Sequence, residues 1–523
     1  MSLASAVEAQ TPRYRLTPLV KLNDSAGYTP DEESGSMGIN NLGQVVSAYR
    51  PSDSGPVKAW LWLPMADYGL TAGVHDLHTL SGLSSSIPSL AADINESGVI
   101  VGRAGDLDDV SGSLGAVWTI SGGTVTNTQL GTLDSNSHWS AVYSVNDASP
   151  PIIVGGSGAS RTCGCTGSPP TVVVRRGIQL SFTSPYTLTE LSPSPDSYGT
   201  AWDVNTPSSG SALIAGYTDC ADDWIGTPAV CRFVDLCRVP KDAVRWQSGT
   251  RSALTDLGSK GSEARSVNDA GNLAGWGFTD ETQCQRRALY WDTDSASPVN
   301  LGSLLTNGDA SFAESINHLS PPQVVGWNAT QGLALLCEKD GGGNWTVVDL
   351  NDSAVIGGCE SYWTLAEAHD INDNDWIITH GTANNTYPSG NYAILLTPFP
   401  DCPADVTRNG CINTQDLLAV IGGWEDCPIG AICHADVNGD CWVDTQDLLA
   451  VNAAWCPSTC PDPVPACCQN CPQCQDSLMG GGGGNDELEG PLTIPQLIAL
   501  IGTSTLTAEQ QATAIEQLLE HQE

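Results

Sequence analysis

The chain has 523 residues, with 20 Lys plus Arg against 59 Asp plus Glu and a formal net charge of -39. That balance repels nucleic acid and anionic membrane surfaces and makes cations the natural partners, and no apolar run is long enough for a membrane span. With 40% hydrophobic residues but 55 Gly and 32 Pro, the composition favours short strands and many turns, and the length requires at least two folding units.

The first ten residues, MSLASAVEAQ, look like the end of a signal peptide whose charged and apolar regions are missing, with Val7-Glu8-Ala9 as a small-x-small pattern; a short disordered start is the alternative. The 19 cysteines cluster, eight up to Cys359 and eleven from Cys402 to Cys474, a density that suits an oxidising, extracellular or cell-surface location.

From residue 11 to 399 one motif dominates. SVNDAGNLAG (266–275) has six relatives, MGINNLGQVVSA (37–48), DINESGVIVG (93–102), SVNDASPPIIVG (144–155), DVNTPSSGSALIAG (203–216), SINHLSPPQVVG (315–326) and DINDNDWIITHG (370–381). Their asparagines, Asn40, Asn95, Asn146, Asn205, Asn268, Asn317 and Asn372, follow one another at intervals of 49 to 63 residues. An Ile or Val before each Asn ends a strand, the Asn side chain bonds nearby backbone, Gly supplies positive φ, and an alternating apolar run begins the partner strand. These asparagines are therefore read as turn residues and not as catalytic ones.

Each period divides into four strand-like pieces, shown by EARSVN (263–268), NLAGWGF (272–278), RALYWD (287–292) and PVNLGSL (298–304). Seven such periods predict an all-β, seven-bladed β-propeller. The seventh copy lacks its last piece, so Tyr14–Val20 should close the ring by pairing with Tyr392–Thr397, leaving no open edge. A chain in which the last piece instead begins each blade would close without that exchange. The first piece is expected innermost, because it carries the small residues Ala92, Ala201, Ala264, Ala313 and Ala368.

Three residues before each asparagine the copies read Met37, Ala92, Tyr143, Trp202, Arg265, Glu314 and His369, with Glu263 and Glu367 two residues earlier on the same strand face. Tyr143, Trp202, Arg265, Glu314 and His369 are thus candidate ligand-binding residues at the axis, suited to a glycan or to acid-base chemistry; plain variation at a tolerant position is the alternative. Trp202 is expected to serve binding without supporting stability. Cys163, Cys165, Cys220, Cys231, Cys237 and Cys284 fall in loops between the second and third pieces and are expected to form disulfides, whereas Cys337 and Cys359 allow no pairing to be assigned. The combination VNDAGNLAGW, RALYW and VNLGSL resembles the bacterial extracellular HAF repeats. The resemblance implies a secreted propeller and supplies no catalytic residues.

Between 402 and 460, ADVTRNGCINTQDLLAVIGGW (404–424) and ADVNGDCWVDTQDLLAVNAAW (435–455) form a second repeat. Each is an acidic loop leading into an amphipathic helix, with ligand oxygens at loop positions 1, 3, 5, 9 and 12 and a backbone carbonyl at position 7. The first loop offers Asp405, Thr407, Asn409, Cys411, Asn413 and Asp416, the second Asp436, Asn438, Asp440, Trp442, Asp444 and Asp447. Ca2+ is the expected ion. The pair resembles a dockerin type I domain, which implies docking to a cohesin-like or other surface protein through Thr414, Gln415, Thr445 and Gln446, in either of two orientations. Thr407 in place of a carboxylate or amide and Cys441 in place of glycine depart from that family.

In the segment 461–490, Cys467, Cys468, Cys471 and Cys474 suit either thiolate zinc binding or, better in a secreted context, disulfides, and Gly480 to Gly484 reads as a flexible linker. Residues 491–523 hold two helix candidates, the second opened by Thr507 and Gln510, whose stripe of Ala508, Ala512, Ile515 and Leu519 suggests a small helical pair or self-association.

No nucleophile elbow, zinc-protease helix or nucleotide-binding loop is present. The leading expectation is a secreted, calcium-dependent binding or scaffold-associated protein. The rivals are a polysaccharide-degrading enzyme, either glycoside hydrolase or lyase, carrying a dockerin, and a purely structural surface protein.

Overall fold

A computed structural model describes residues 12–22, 37–50, 55–105, 112–135, 137–162, 171–184, 186–191, 197–220, 241–257, 261–279, 285–293, 297–305, 308–384, 388–409, 411–455, 492–504 and 506–520. The chain forms two compact units, one of residues 19–351 and 364–395 and one of residues 1–18, 352–363 and 396–523. Residues 1–11, with the expected leader, residues 456–491, with the expected Cys-rich segment and linker, Cys163, Cys165, Cys231, Cys237 and Cys284, and the side chain of Cys220 lie outside the described residues, and so do the expectations attached to them.

Seven four-stranded sheets make a seven-bladed propeller. Blade five is typical, with Ser262–Val267, Leu273–Phe278, Arg286–Trp291 and Val299–Asn300 antiparallel in chain order. Blade seven is ordered Tyr14–Lys21, Asn391–Pro398, Ile377–Ala383, Trp363–Ile371, so its fourth strand comes from the start of the chain. The ring closes by the exchange the sequence predicts. Closure removes a free strand edge, which is where sheet proteins otherwise associate.

The hydrophobic core lies between neighbouring blades. Val46, Ala59, Leu61 and Leu63 of the first blade pack on Ala91, Ile94, Ile100, Ala116 and Trp118 of the second, and Leu213, Ala215 and Ala243 of the fourth on Ala264, Val267, Leu273, Leu289 and Trp291 of the fifth. Each large side chain so buried contributes about 1.5–3 kcal/mol, which is why the third strands carry the tryptophans and leucines.

The first strand of a blade is not regular. Its register shifts between Ala91 and Asp93, Val142 and Ser144, Ala201 and Asp203, Ala264 and Ser266, and Ala313 and Ser315, leaving Ala92, Tyr143, Trp202, Arg265 and Glu314 as the extra residues of β-bulges. A bulge turns the local strand and re-aims one side chain. It also presses the strand onto its neighbour: a Cβ on Gly275 would sit 2.0 Å from the Glu263 carbonyl oxygen, and Gly102, Gly155, Gly216 and Gly326 meet the same obstacle. The glycine that ends the motif in blades two to six is required by this close approach.

In the second unit, the helices Thr414–Gly422 and Thr445–Ala453 follow the two acidic loops, each opened by a capping box, Asn413 with Asp416 and Asp444 with Asp447. The strand pair Glu425–Asp426 and Trp442–Val443 joins the halves. Their core, including Val406, Ile412, Leu417, Val420, Val437, Val443, Leu448 and Val451, extends to Leu497, Ile501, Ala514 and Leu518 of the tail helices Ile494–Gly502 and Ala508–Glu520. The two tail helices pack on each other as a pair, as expected, but the expected stripe is corrected: Ala508, Ala512 and Leu519 are exposed and Ile515 is half-buried, while Ala514 and Leu518 form the side that completes the core of the loop–helix module. Disulfides join Cys359 to Cys441 and Cys427 to Cys433, while Cys337 is a buried free thiol. Cys441, where glycine was expected, has φ 68. Among the described residues no helix is long and apolar enough to cross a membrane.

Candidate functional site

The propeller axis is organised by three belts of hydrogen bonds. In the first, each repeat asparagine accepts a bond from the backbone that starts its own second strand, as Asn268 Oδ1 does from Asn272 N at 2.9 Å. Its Nδ2 then reaches the next blade: Asn40 donates to Asn95 O, Asn95 to Asn146 O, Asn146 to Asn205 O, Asn205 to Asn268 O, Asn268 to Asn317 O and Asn372 to Asn40 O, at 2.9 to 3.1 Å. Asn317 bonds Gln323 Oε1 at 2.6 Å instead.

The residue after each asparagine forms the second belt, a closed ring in which one blade's backbone N–H donates to the next blade's side chain. It runs from Asn41 to Glu96, Asp147, Thr206, Asp269, His318, Asp373 and back to Asn41. Burial lowers the His318 pKa, but bonding and charge from Asp269, with Asp373 and Asp203, outweigh it and raise it to about 9. The same Nδ1 lies 2.9 Å from Asp269 N and 3.3 Å from Asp269 Oδ1. The backbone contact is the shorter and matches the other six links, so the neutral, accepting ring is the arrangement the belt geometry favours.

The third belt uses Asp93, Asp203 and Asp370. Asp203 accepts from Ser144 Oγ and Val204 N with one oxygen and from Ser266 Oγ and Val267 N with the other; Asp370 accepts from Ile39 N, Ser315 Oγ and Ile371 N; Asp93 accepts from Ile94 N and Val145 N. Burial, with the charge of Asp370 and then Asp203, pushes Asp93 up to about 7. Burial and Asp203 bring Asp370 to about 6 against its three donors.

All seven residues of the predicted ring, Met37, Ala92, Tyr143, Trp202, Arg265, Glu314 and His369, line one axial cavity of about 190 Å³. The bulges account for this in blades two to six. The aromatic members are not open platforms, however. Tyr143 and Trp202 are only 7% and 8% exposed, their rings lie 4.6 Å apart, and Arg265 stacks 4.3 Å above Trp202 while pairing with Glu263 at 3.3 Å. Trp202 also packs with Trp139, Ala141 and Tyr217. The expectation that Trp202 is dispensable for stability is therefore corrected: truncating such a ring costs about 3–5 kcal/mol.

The polar side of the cavity is at blades six and seven, where Glu314 and His369 line it. Glu367 and His380 stand next to His369, all four side chains half-buried, with His369 Nε2 2.9 Å from His380 Nδ1. Burial, with the charge of Glu314, raises Glu367 to about 8. Burial and its neighbour His380 hold His369 well below the usual imidazole range, and burial takes His380 to about 4. His380 and the three aspartates are absent from the sequence-based ring. The available signal was weak: His380 stands eight residues after Asn372, where Trp276 stands after Asn268.

In the second unit, each loop folds its acceptors inward. Asp436 accepts from Gly439 N, Asp440 N and Cys441 N; Asp440 from Trp442 N; Asp444 from Gln446 N; and Asp447 from Val437 N, Asn438 N and Asp444 N. In the first loop Asp405 accepts from Asn409 N, Asn409 from Cys411 N, Asn413 from Gln415 N, and Asp416 from Thr407 N, Thr407 Oγ1 and Asn413 N. Burial pushes Asp447 up to about 8 and, with Asp440, Asp436 to about 6. Arg15 places one guanidinium nitrogen 3.1 Å from Asp436 O, but four carboxylates in one short loop remain underbalanced. The donor set is all oxygen and anionic, which fits a hard divalent cation. Of the expected partner-contacting residues, Gln415 and Gln446 are exposed and Thr414 is half-buried, whereas Thr445 is buried and bonds Gln517 of the tail.

The fold thus defines a seven-bladed propeller with a belted axial channel, accompanied by a tandem loop–helix unit. No protein-family model matches the chain, and no curated protein does. Among solved structures, a puromycin hydrolase mutant complexed with PGG is similar at 11% identity over 71% of this chain and 53% of its own, with a TM-score of 0.38. A protein of unknown function from Dyadobacter fermentans is similar at 9% over 74% and 99%, TM-score 0.32, and an alpha-L-arabinofuranosidase from Fusarium graminearum, in complex with an iminosugar inhibitor, at 8% over 75% and 99%, TM-score 0.29. The chain spans about half the length of the puromycin hydrolase. At these identities no residue role transfers.

Proposed function

We propose that the protein is a secreted, calcium-dependent binding protein associated with a scaffold, its propeller carrying a ligand site at the channel and its second unit acting as a dockerin-like attachment module. The observation that carries the reading is the pair of loops whose twelfth-position carboxylates, Asp416 and Asp447, are fully buried and held by backbone N–H groups. Ca2+ would be held by Asp405, Thr407, Asn409, Asn413 and Asp416 in one loop and Asp436, Asn438, Asp440, Asp444 and Asp447 in the other, with the carbonyls of Cys411 and Trp442; it supplies charge balance and cross-links each loop to its helix.

Attachment would run through the first helix, where Gln415 and the 48%-exposed Leu418 are accessible, because the tail covers Thr445 of the second. The test is binding to a panel of purified cohesin modules. A Thr414→Ala/Gln415→Ala variant should lose binding, Gln446→Ala should retain it, and chelation should abolish it. Calcium-independent binding, or no calcium uptake by either loop, would refute the reading.

One observation favours the enzymatic alternative. Glu367, raised to about 8 by burial and then by the charge of Glu314, would remain protonated beside a second carboxyl group at neutral pH, and a protonated and an ionised carboxyl together are what glycosidic cleavage uses. Reducing sugar or unsaturated product released from a polysaccharide panel, and lost in Glu367→Gln, would support it; glycan binding without turnover supports the binding protein.

A further inference from the structure

We infer that Glu367, His369 and His380 of blade seven form a site for a divalent transition-metal ion of the Zn2+ class, reached from the axial cavity at His369. The inference rests on the channel geometry and is independent of the attachment reading.

The three side chains each offer one ligand atom, and these atoms lie within 4.8 Å of one another. His369 Nε2 and His380 Nδ1 are 2.9 Å apart, and neither imidazole makes another hydrogen bond to a described residue. A tetrahedral ion at the usual zinc–nitrogen distance of about 2.0–2.1 Å would hold two such nitrogens about 3.3 Å apart. The rings need to open by only a few tenths of an ångström to admit it. Glu367 supplies one anionic oxygen, and Glu314 adds a second negative charge close enough to raise the Glu367 pKa. Two neutral imidazoles with one or two carboxylates match a 2+ charge.

Donor type separates this site from the acidic loops. Two nitrogens among three donors select a borderline ion over Ca2+ or Mg2+, which take oxygen. Three protein donors also leave a coordination position for water or a ligand group from the channel, the pattern of open and not of closed structural zinc sites.

The local fold is built to hold the cluster. In blades two to six the residue opposite the bulge is glycine, but blade seven carries Thr379 at the corresponding place, seven residues after Asn372 as Gly275 is after Asn268. Thr379 Oγ1 donates to Glu367 O at 2.6 Å, tying the strand that carries Glu367 and His369 to the one that carries His380. Thr379 is a positioning residue for the site.

The test uses the full chain saturated with Ca2+ and titrated with Co2+ as a spectroscopic probe, then with competing Zn2+. The expected result is a visible Co2+ absorption displaced by Zn2+, weakened by about 100-fold or more in His380→Gln and in His369→Gln, and by about 10- to 100-fold in Thr379→Val, with recovery in Thr379→Ser. Any of the cysteines of 456–474 that are reduced would also take these ions, so the readout is the difference between wild type and histidine variants of unchanged circular dichroism. If both variants misfold, pulsed electron paramagnetic resonance of the Cu2+-loaded wild type decides: two imidazole couplings support the site, and their absence overturns it. Unchanged Co2+ binding in a folded histidine variant also overturns it. The outcome separates this site from the acid–base reading of Glu367, since a bound ion would keep that carboxylate ionised.

Discussion

An asparagine that closes its own hairpin and also reaches the next blade has a double role, and only the first is visible in sequence. The turn chemistry of Asn268 with Gly271 is legible because Asn followed by Gly is a local code. The inter-blade bond is not, because its acceptor lies about fifty residues away. Asn317, at the same place in its motif, donates to Gln323 of its own blade instead. Asn268→Ala should therefore lower stability by about 2–4 kcal/mol, since it strands a buried N–H and a buried carbonyl, and Asn317→Ala by roughly 1 kcal/mol less. Urea denaturation of the two variants checks this; equal losses would mean the belt adds nothing. Gly275→Ala should cost about 1–3 kcal/mol by the same assay, because its Cβ would meet the Glu263 carbonyl.

Asp93 adds a pH dependence. Its pKa rises from 3.8 unfolded to about 7 folded, through burial and the charges of Asp370 and Asp203. Between those values the unfolded chain has released its proton and the folded chain has kept it, so this group's contribution is complete below about 4 and is lost as pH rises through 7. Asp370 and Glu367 act in the same direction, whereas His369 and His380 act oppositely below pH 6.5. The readout is therefore the difference between wild type and Asp93→Asn, which should shrink from pH 4 to pH 7 in wild type's disfavour. A pH-independent difference would show that Asp93 is not protonated in the fold.

At the scale of elements, strand order was legible and strand irregularity only partly so. A nearly constant alanine followed by a variable residue is the trace a bulge leaves, since the paired position must be small and the extra one faces open space. What the extra side chains do with that space was not legible: Tyr143, Trp202 and Arg265 stack on one another, and His380 comes from the second strand, where no repeat pattern marks it. The tail is a similar case. The expected stripe took the wrong face, because alanines score as apolar at exposed positions too; the buried side is Ala514 and Leu518, with Ile515 beside them, against the core around Leu448 and Val451. The two loops differ in charge, with Asp436, Asp440, Asp444 and Asp447 against Asp405 and Asp416. Calorimetry should find two calcium sites, the tighter lost in Asp436→Ala and the weaker in Asp405→Ala. One site, or equal losses, would count against this.

For the molecule as a whole, the two units have separate cores and different dependencies, which predicts how they unfold. The propeller is held by inter-blade packing and a ring closed by Tyr14–Lys21, and its belts are protein–protein hydrogen bonds. The second unit buries Asp416, Asp436 and Asp447, and in the proposed reading a calcium ion in each loop balances them. A ligand at 100 times its dissociation constant stabilises the state that binds it by about 2.7 kcal/mol. Calorimetric melting in calcium should therefore resolve two transitions. Chelation should lower or abolish the one belonging to the loop–helix unit and leave the propeller transition in place, whereas deleting the first strand, residues 12–22, should lower the propeller transition by opening blade seven. If chelation moves both transitions together, the units share one cooperative structure and calcium supports the ring as well as the loops.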